Sequence, residues 1–185
     1  MGKVVILAGN KRAGKSTLAL LLHKKYNYNY INFDYLLDSI ESTFSELEDG
    51  NDDKYIKLLE EMVKRSLEDS NNYNISTVYD YIFTPKQLSD FKYRNDVEIY
   101  FLANLDANGL NIKEDLINYS KKFDWPSTAT DMDLERNIKF ILNTNISLIE
   151  ETKKYNFKLI NTSREDSRDK IIKLLAETIS DKDLK

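Results

Sequence analysis

Short apolar runs alternate along this chain with longer segments in which apolar residues return every three or four positions. Five runs read as strands: residues 3–8 (Lys3-Val4-Val5-Ile6-Leu7-Ala8), about 29–33, about 76–83, 97–103 and 157–160. They are short and rich in β-branched and aromatic residues, which suit a pleated surface. The segments between them have helical spacing. Leu18, Leu21 and Leu22 follow the first run, and Tyr55, Leu58, Leu59, Met62, Val63 and Leu67 form a one-sided stripe with Glu and Lys between. Glu48 to Asp52 reads as the turn before that stripe. Further helices are predicted near 112–122 and over 132–154, where Leu134, Ile138, Ile141, Leu142 and Ile149 recur. A last helix carries Ile171, Leu174, Leu175 and Ile179, with Asp166 or Ser167 as its cap. Strands that alternate with helices predict an α/β domain whose parallel sheet is covered on both faces. Two prolines and five glycines leave little room for linkers, so residues 1–185 read as a single domain with helical excursions at about 35–75 and about 105–136.

Directly behind the first strand stands Gly9-Asn10-Lys11-Arg12-Ala13-Gly14-Lys15-Ser16, followed by Thr17. This is the GxxxxGK[ST] pattern of a Walker A phosphate loop. Glycines let the backbone curl so that successive N–H groups converge on phosphate oxygens. The helix that starts at the loop adds oriented N–H groups and a partial positive charge. Lys15 then reaches the β- and γ-phosphates, and the Ser16 hydroxyl coordinates Mg2+. The expected ligand is a nucleoside triphosphate.

Composition narrows the partners. The net charge of −4 offers no basic face for a nucleic-acid backbone. No cysteine is present, so disulfides, thiol nucleophiles and Cys-ligated zinc are excluded. No apolar stretch approaches the ~20 residues of a membrane span. The expectation is a cytoplasmic monomer or homodimer that takes a nucleoside triphosphate and a small-molecule acceptor. His23, the one histidine, sits beside Lys24 and Lys25 without metal-ligand partners, and Trp125 reads as a packing residue held by Pro126.

Ligands of an open α/β sheet gather at the carboxyl ends of its strands, which gives priority to two carboxylates. Asp34 ends the second run in Ile31-Asn32-Phe33-Asp34-Tyr35-Leu36-Leu37. It is placed either to cap the helix starting at Tyr35 or to act as a general base on an acceptor hydroxyl. Asp80 follows Ile75-Ser76-Thr77-Val78-Tyr79, an apolar run ending in a carboxylate after the manner of a Walker B strand, where the acid binds Mg2+ or its water.

With these residues the chain resembles the P-loop small-molecule kinases, a group that includes nucleoside monophosphate, shikimate, gluconate and uridine kinases and chloramphenicol phosphotransferase. The resemblance implies a three-layer P-loop NTPase fold with a five-stranded parallel sheet and helices on both faces. It further implies ATP and Mg2+ as cofactors, an acceptor bound by the excursion at about 35–75, and a lid at about 105–136. Asp34 corresponds to the base or substrate anchor of the hydroxyl-phosphorylating members. Asp80-Tyr81-Ile82-Phe83-Thr84-Pro85-Lys86 looks like a stretched DGxPR segment, with two extra residues and Lys86 in place of the arginine. Arg136 is the candidate for a lid arginine, the alternative being a helix-surface charge in Asp133-Leu134-Glu135-Arg136. In such kinases the loop after the fifth strand, here Asn161-Thr162-Ser163-Arg164, lies near the adenine, so Arg164 or Arg168 is expected to stack on the base.

The expected reaction is transfer of the ATP γ-phosphoryl group. Lys15 and the loop would hold the phosphates, Ser16 and Asp80 the metal, Asp34 the acceptor. A phosphorylated acceptor would call on Arg65, Lys86 or Arg94, whereas the carboxylates Asp34, Asp38 and Glu41 favour a neutral, hydroxylated one. Competing readings are a nucleotide-hydrolysing switch and a catalytically weak binding module. Ala103-Asn104-Leu105-Asp106 lacks the lysine of a guanine-reading NKxD sequence, which disfavours a GTPase.

Overall fold

The structure, a computed structural model, describes residues 1–44, 52–118, 125–162 and 168–181. Strand β1 (Val4–Gly9) leads through the glycine loop into helix α1 (Lys15–Tyr26), and β2 (Asn29–Asn32) is followed by α2 (Phe33–Thr43) and α3 (Asp52–Tyr73). Next come β3 (Thr77–Asp80), the short α4 (Pro85–Ser89), β4 (Glu98–Ala103), α5 (Gly109–Asn118), a 3-10 turn at Trp125–Ser127 and α6 (Asp131–Lys154). Strand β5 (Lys158–Asn161) and α7 (Arg168–Asp181) close the chain. All strand pairs are parallel, in the order β2-β3-β1-β4-β5.

The alternation of strand side chains separates two cores. Val4, Ile6 and Ala8 of β1, with Tyr79 and Phe101, face a layer containing Phe33 and Leu37 of α2, Leu59 and Val63 of α3 and Leu148 of α6. Val5 and Leu7, with Val78, Tyr100 and Leu102, face Leu18, Ala19 and Leu22 of α1 and Ile172, Ala176 and Ile179 of α7. Strands buried on both faces read as continuous apolar runs, which is why β1 has no polar alternation. The expected three-layer α/β architecture is therefore present. A third, smaller cluster joins Ile112 and Leu116 of α5 to Leu134 and Ile141 of α6, outside the sheet. No helix among the described residues is long and apolar enough to cross a membrane.

Four expectations need correction. The third strand ends at Asp80, well before the predicted residue 83. Asp80 is paired with Leu7 on one side and Asn32 on the other, and both neighbouring strands stop within two residues of those positions, so the ladder has no partners to continue with. The apolar run beyond it turns into the core instead. Tyr81 and Phe83 pack on each other (ring centroids 4.6 Å apart) and on Phe33 (5.4 and 5.5 Å). Thr84 and Gln87 then form a capping box, with Pro85 in the first turn, that starts α4, a helix the strand pattern conceals.

The second correction concerns Asp34. Helix α2 begins at Phe33 and is capped by Asn32, whose side chain accepts the Tyr35 N–H at 3.0 Å. Asp34 lies one residue inside the first turn, relieved of the capping role. Third, α5 starts at Gly109 rather than near 112, and residues 119–122 of its predicted span lie outside the described ones. The inward stripe of α7 is Ile172, Leu175, Ala176 and Ile179, with Leu174 65% exposed, a small rotation from the expected Ile171, Leu174, Leu175 and Ile179. Of the expected turn at Glu48 to Asp52, residues 48–51 lie outside the described residues, as do the caps Asp166 and Ser167, and Asp52 begins α3.

Candidate active site

The loop between β1 and α1 owes its shape to glycines at two points. Gly9 has φ +108°, and a Cβ there would stand 2.3 Å from the Leu102 carbonyl oxygen. Gly14 has φ +86° and caps α1, with Ile172 Cδ1 only 2.7 Å from where its Cβ would be. Neither position admits a side chain without displacing its neighbours. Between the two, Arg12 also adopts the left-handed region, at φ +58°.

Four elements outside the loop pin it. The Asn10 N–H donates to the Leu102 carbonyl of β4 at 2.9 Å. The Asn10 side chain, 1% exposed, donates to the Ile141 carbonyl (2.7 Å) and to Asn145 Oδ1 (2.8 Å), both on α6. Asn145 in turn donates to the Asn104 carbonyl just past β4, at 2.8 Å. The fully buried Thr162 hydroxyl meets the Ala13 carbonyl (2.9 Å) and the Ala103 carbonyl (3.2 Å). From α7, Arg168 donates to the Arg12 carbonyl and pairs with the buried Asp115 of α5 at 3.8 Å. The loop is therefore a preorganised turn, tied to both sides of the sheet.

Within this frame Asn10 is an anchor. Its amide and side chain point into the protein, and its carbonyl receives the Lys15 ammonium at 2.8 Å. Lys15 is buried, and burial lowers its pKa, with Asp80 and then Asp34 opposing the shift and Lys11 adding to it. Lys11 is half-buried against α6, 3.2 Å from Asn137 Oδ1 and over the Phe140 ring at 5.3 Å. Its pKa is also lowered by burial and supported by Asp34. Ser16 and Thr17 are exposed at the start of α1.

The two carboxylates converge on the same lysine. Asp80 is 2% exposed at the end of β3, adjacent in the sheet to β1. Asp34 is open to solvent, yet its pKa is raised, mainly by desolvation; Lys15 opposes the shift, and Asp80 and Asp38 add to it. The structure thus brings together Lys15, Lys11, Asp34 and Asp80, which lie up to 69 residues apart in the chain. Tyr30 of β2 joins them: its hydroxyl donates to Asp80 Oδ2 at 3.2 Å and accepts from Asn32 Nδ2 at 3.2 Å.

The Ser16 hydroxyl and the Asp80 carboxylate are hard-oxygen donors of the kind Mg2+ takes alongside phosphate and water. Among the described residues no group of three or more His, Cys, Asp or Glu side chains is placed to hold a metal by itself. As oxygen donors, Ser16 and Asp80 fit such a cation.

Other expected residues stand apart. Arg136 is exposed on α6 and pairs with Asp133 at 3.8 Å, an arrangement of the helix surface. Arg168 grips the loop through its backbone and so is not presented as a stacking plate, while Arg164 lies outside the described residues. Arg65 pairs with Glu68 at 3.6 Å. Arg94 donates to the Ser89 and Tyr155 carbonyls and lies over Phe157 at 4.2 Å, which makes it a structural clamp. His23 contacts the Tyr28 carbonyl at 2.8 Å, in keeping with a structural role.

Sequence reasoning missed Asn145, Thr162, Asp115 and Tyr30. Asn145 had a signal: it occupies the same face of α6 as Ile141, Leu148 and Thr152, and a polar residue on an apolar stripe calls for a partner. Tyr30 had none, because its hydroxyl finds Asp80 only through the β2–β3 register, in which Tyr30 pairs with Val78 and Asn32 with Asp80.

No protein-family model and no curated protein matches the sequence. Solved structures match it over nearly its whole length. The shikimate kinase of Bacteroides thetaiotaomicron superposes with a TM-score of 0.56 at 16% identity, covering 96% of this chain and 98% of that one. The shikimate kinase of Acinetobacter baumannii, solved in complex with shikimate, gives 0.54 at 14% identity over 100% and 97%. A gluconokinase from Sinorhizobium meliloti gives 0.54 at 13% identity over 98% and 97%. With its five parallel strands, its glycine loop and these neighbours, the chain has the α/β fold of the P-loop small-molecule kinases.

Proposed function

We propose that this protein is an ATP-dependent phosphotransferase that moves the γ-phosphoryl group to a hydroxyl of a small-molecule acceptor. The observation that carries the proposal is the convergence of Lys15, Asp34 and Asp80 at the carboxyl ends of β1, β2 and β3, beside a loop with the phosphate-binding pattern.

Each group has a role that follows from its placement. The loop from Arg12 onward and the N-terminus of α1 supply N–H groups to the phosphates. Lys15, held by the Asn10 carbonyl, is poised to transfer its hydrogen bonds to the β- and γ-phosphate oxygens. Lys11 adds a second positive charge near the same place. Ser16 and Asp80 would hold Mg2+, which would supply charge neutralisation to the phosphates. Asp34 takes the proton of the acceptor hydroxyl as that oxygen forms its bond to the γ-phosphorus; the bond to the bridging oxygen breaks and ADP leaves. An acid with a raised pKa is a better match to that task than an ordinary one.

The acceptor is assigned to the space between Asp34 and the helices α2 and α3, with α5 and α6 as the lid side. A neutral, hydroxylated acceptor suits this site, because Arg94 and Arg65 are engaged elsewhere and the near carboxylates repel an anion. The neighbours solved as shikimate kinases and a gluconokinase favour a hydroxylated acceptor; shikimate and gluconate are carboxylates as well as alcohols, so they do not bear on its charge. A cytoplasmic location, where ATP is plentiful, accords with the proposal.

The test is ADP release measured with and without a panel of polyols, sugars, nucleosides and hydroxy acids. Release that depends on one acceptor class supports the phosphotransferase. Constant release would replace it by a hydrolysing switch, and no release together with tight nucleotide binding by a catalytically silent module.

A further inference from the structure

Tyr30 stands in a position that loop and carboxylate chemistry alone do not require. It is the second residue of β2, and its ring packs at the edge of the α1–α7 core. Its hydroxyl meets two side chains at once: Asp80 Oδ2 and Asn32 Nδ2. The first of these is the carboxylate assigned to the cation. A phenol is rigid, with two side-chain torsions, and as a neutral hydroxyl it both donates and accepts. Donating to Asp80 fixes the plane of a carboxylate that is otherwise buried. Accepting from Asn32 couples that carboxylate to the residue capping α2, the helix that carries Asp34.

We propose that Tyr30 is a positioning residue of the cation site, its hydroxyl orienting the Asp80 carboxylate so that magnesium and its waters meet a preset oxygen. The inference rests on the phosphotransferase reading for the presence of a magnesium nucleotide. It goes beyond it in naming a residue outside the loop and the acidic strand end as the one that sets magnesium dependence. Partners that orient metal ligands commonly change metal affinity ten- to a hundredfold when removed.

The experiment is calorimetric titration of ATP into the full chain, in excess Mg2+ and in chelator, for the wild type, Tyr30→Phe, Asp80→Asn and the double variant. For Tyr30→Phe the ratio of the two affinities is expected to fall about tenfold. The double variant should lose little more than Asp80→Asn alone, because the phenol acts through that carboxylate. A Tyr30 that merely packs would change both affinities together, or the melting temperature only, leaving the ratio unaltered; that result overturns the inference. So would a loss in the double variant equal to the sum of the single losses. Should the wild type bind no nucleotide under either condition, the phosphotransferase reading falls as well, which separates the two failures.

Discussion

Lys15 and Asp34 illustrate how a site of this kind opposes folding stability at single residues. Burial lowers the Lys15 pKa from 10.5, so this group contributes stability that is present above 10.5 and is lost as pH falls through the folded value. Asp34 has the opposite sense. Its pKa is raised above 3.8, so its contribution is complete below 3.8 and is lost as pH climbs through the raised value. In the free fold desolvation disfavours the charged form of both groups, and a bound phosphate or acceptor hydroxyl would favour it. Lys15→Met should accordingly flatten the alkaline rise of stability in urea midpoints taken across pH, while kcat/KM drops by about a hundredfold or more. Asp34→Asn should leave the free protein at least as stable at pH 7 and slow turnover by roughly two to four orders of magnitude. It should also abolish the acid limb of the pH–rate profile, because the base must be deprotonated to act. A variant that retained that limb would assign it to another group.

At the scale of elements, the loop is held by contacts that no local pattern announces. The glycine spacing and the strand before it were legible because both are local, as were the apolar stripe of α3 and the span of α6. The Asn10–Asn145–Asn104 chain was not, since it joins residues 135 and 41 positions apart. Strand β3 was read too long for a related reason: Tyr81 and Phe83 have strand chemistry, but whether they continue a strand depends on neighbours that end beside Asp80. Asp34 was misplaced by one turn position because Asn32, an equally good cap, stands two residues earlier. Asn145→Ala should leave the Asn10 amide and the Asn104 carbonyl short of partners within a buried layer. The expected cost is about 2 kcal/mol in chemical unfolding, with a raised KM for nucleotide as the loop loosens. Gly9→Ala confronts a backbone carbonyl that cannot yield, and should cost about 3 kcal/mol and abolish nucleotide binding in whatever fraction folds. An alanine variant with wild-type affinity would show that the loop tolerates another conformation.

The whole molecule is a sheet that delivers three strand ends to one place and two helical excursions that flank it. Order β2-β3-β1-β4-β5 puts the glycine loop between the acid of β3 and the carbonyls of β4, so the fold itself creates the charge convergence. The architecture was readable from the alternation of strand and helix, whereas the identity of the acceptor was not, because it depends on the shape between α2, α3 and the lid side. The central claim is that this loop grips a triphosphate, and calorimetry of ATP binding in the presence of Mg2+ tests it most directly. The account predicts saturable binding in the micromolar to millimolar range usual for enzyme substrates, competed by ADP and lost in Lys15→Ala while the variant remains folded. Absence of heat and of competition with the wild type at millimolar nucleotide, or undiminished binding by Lys15→Ala, would contradict it.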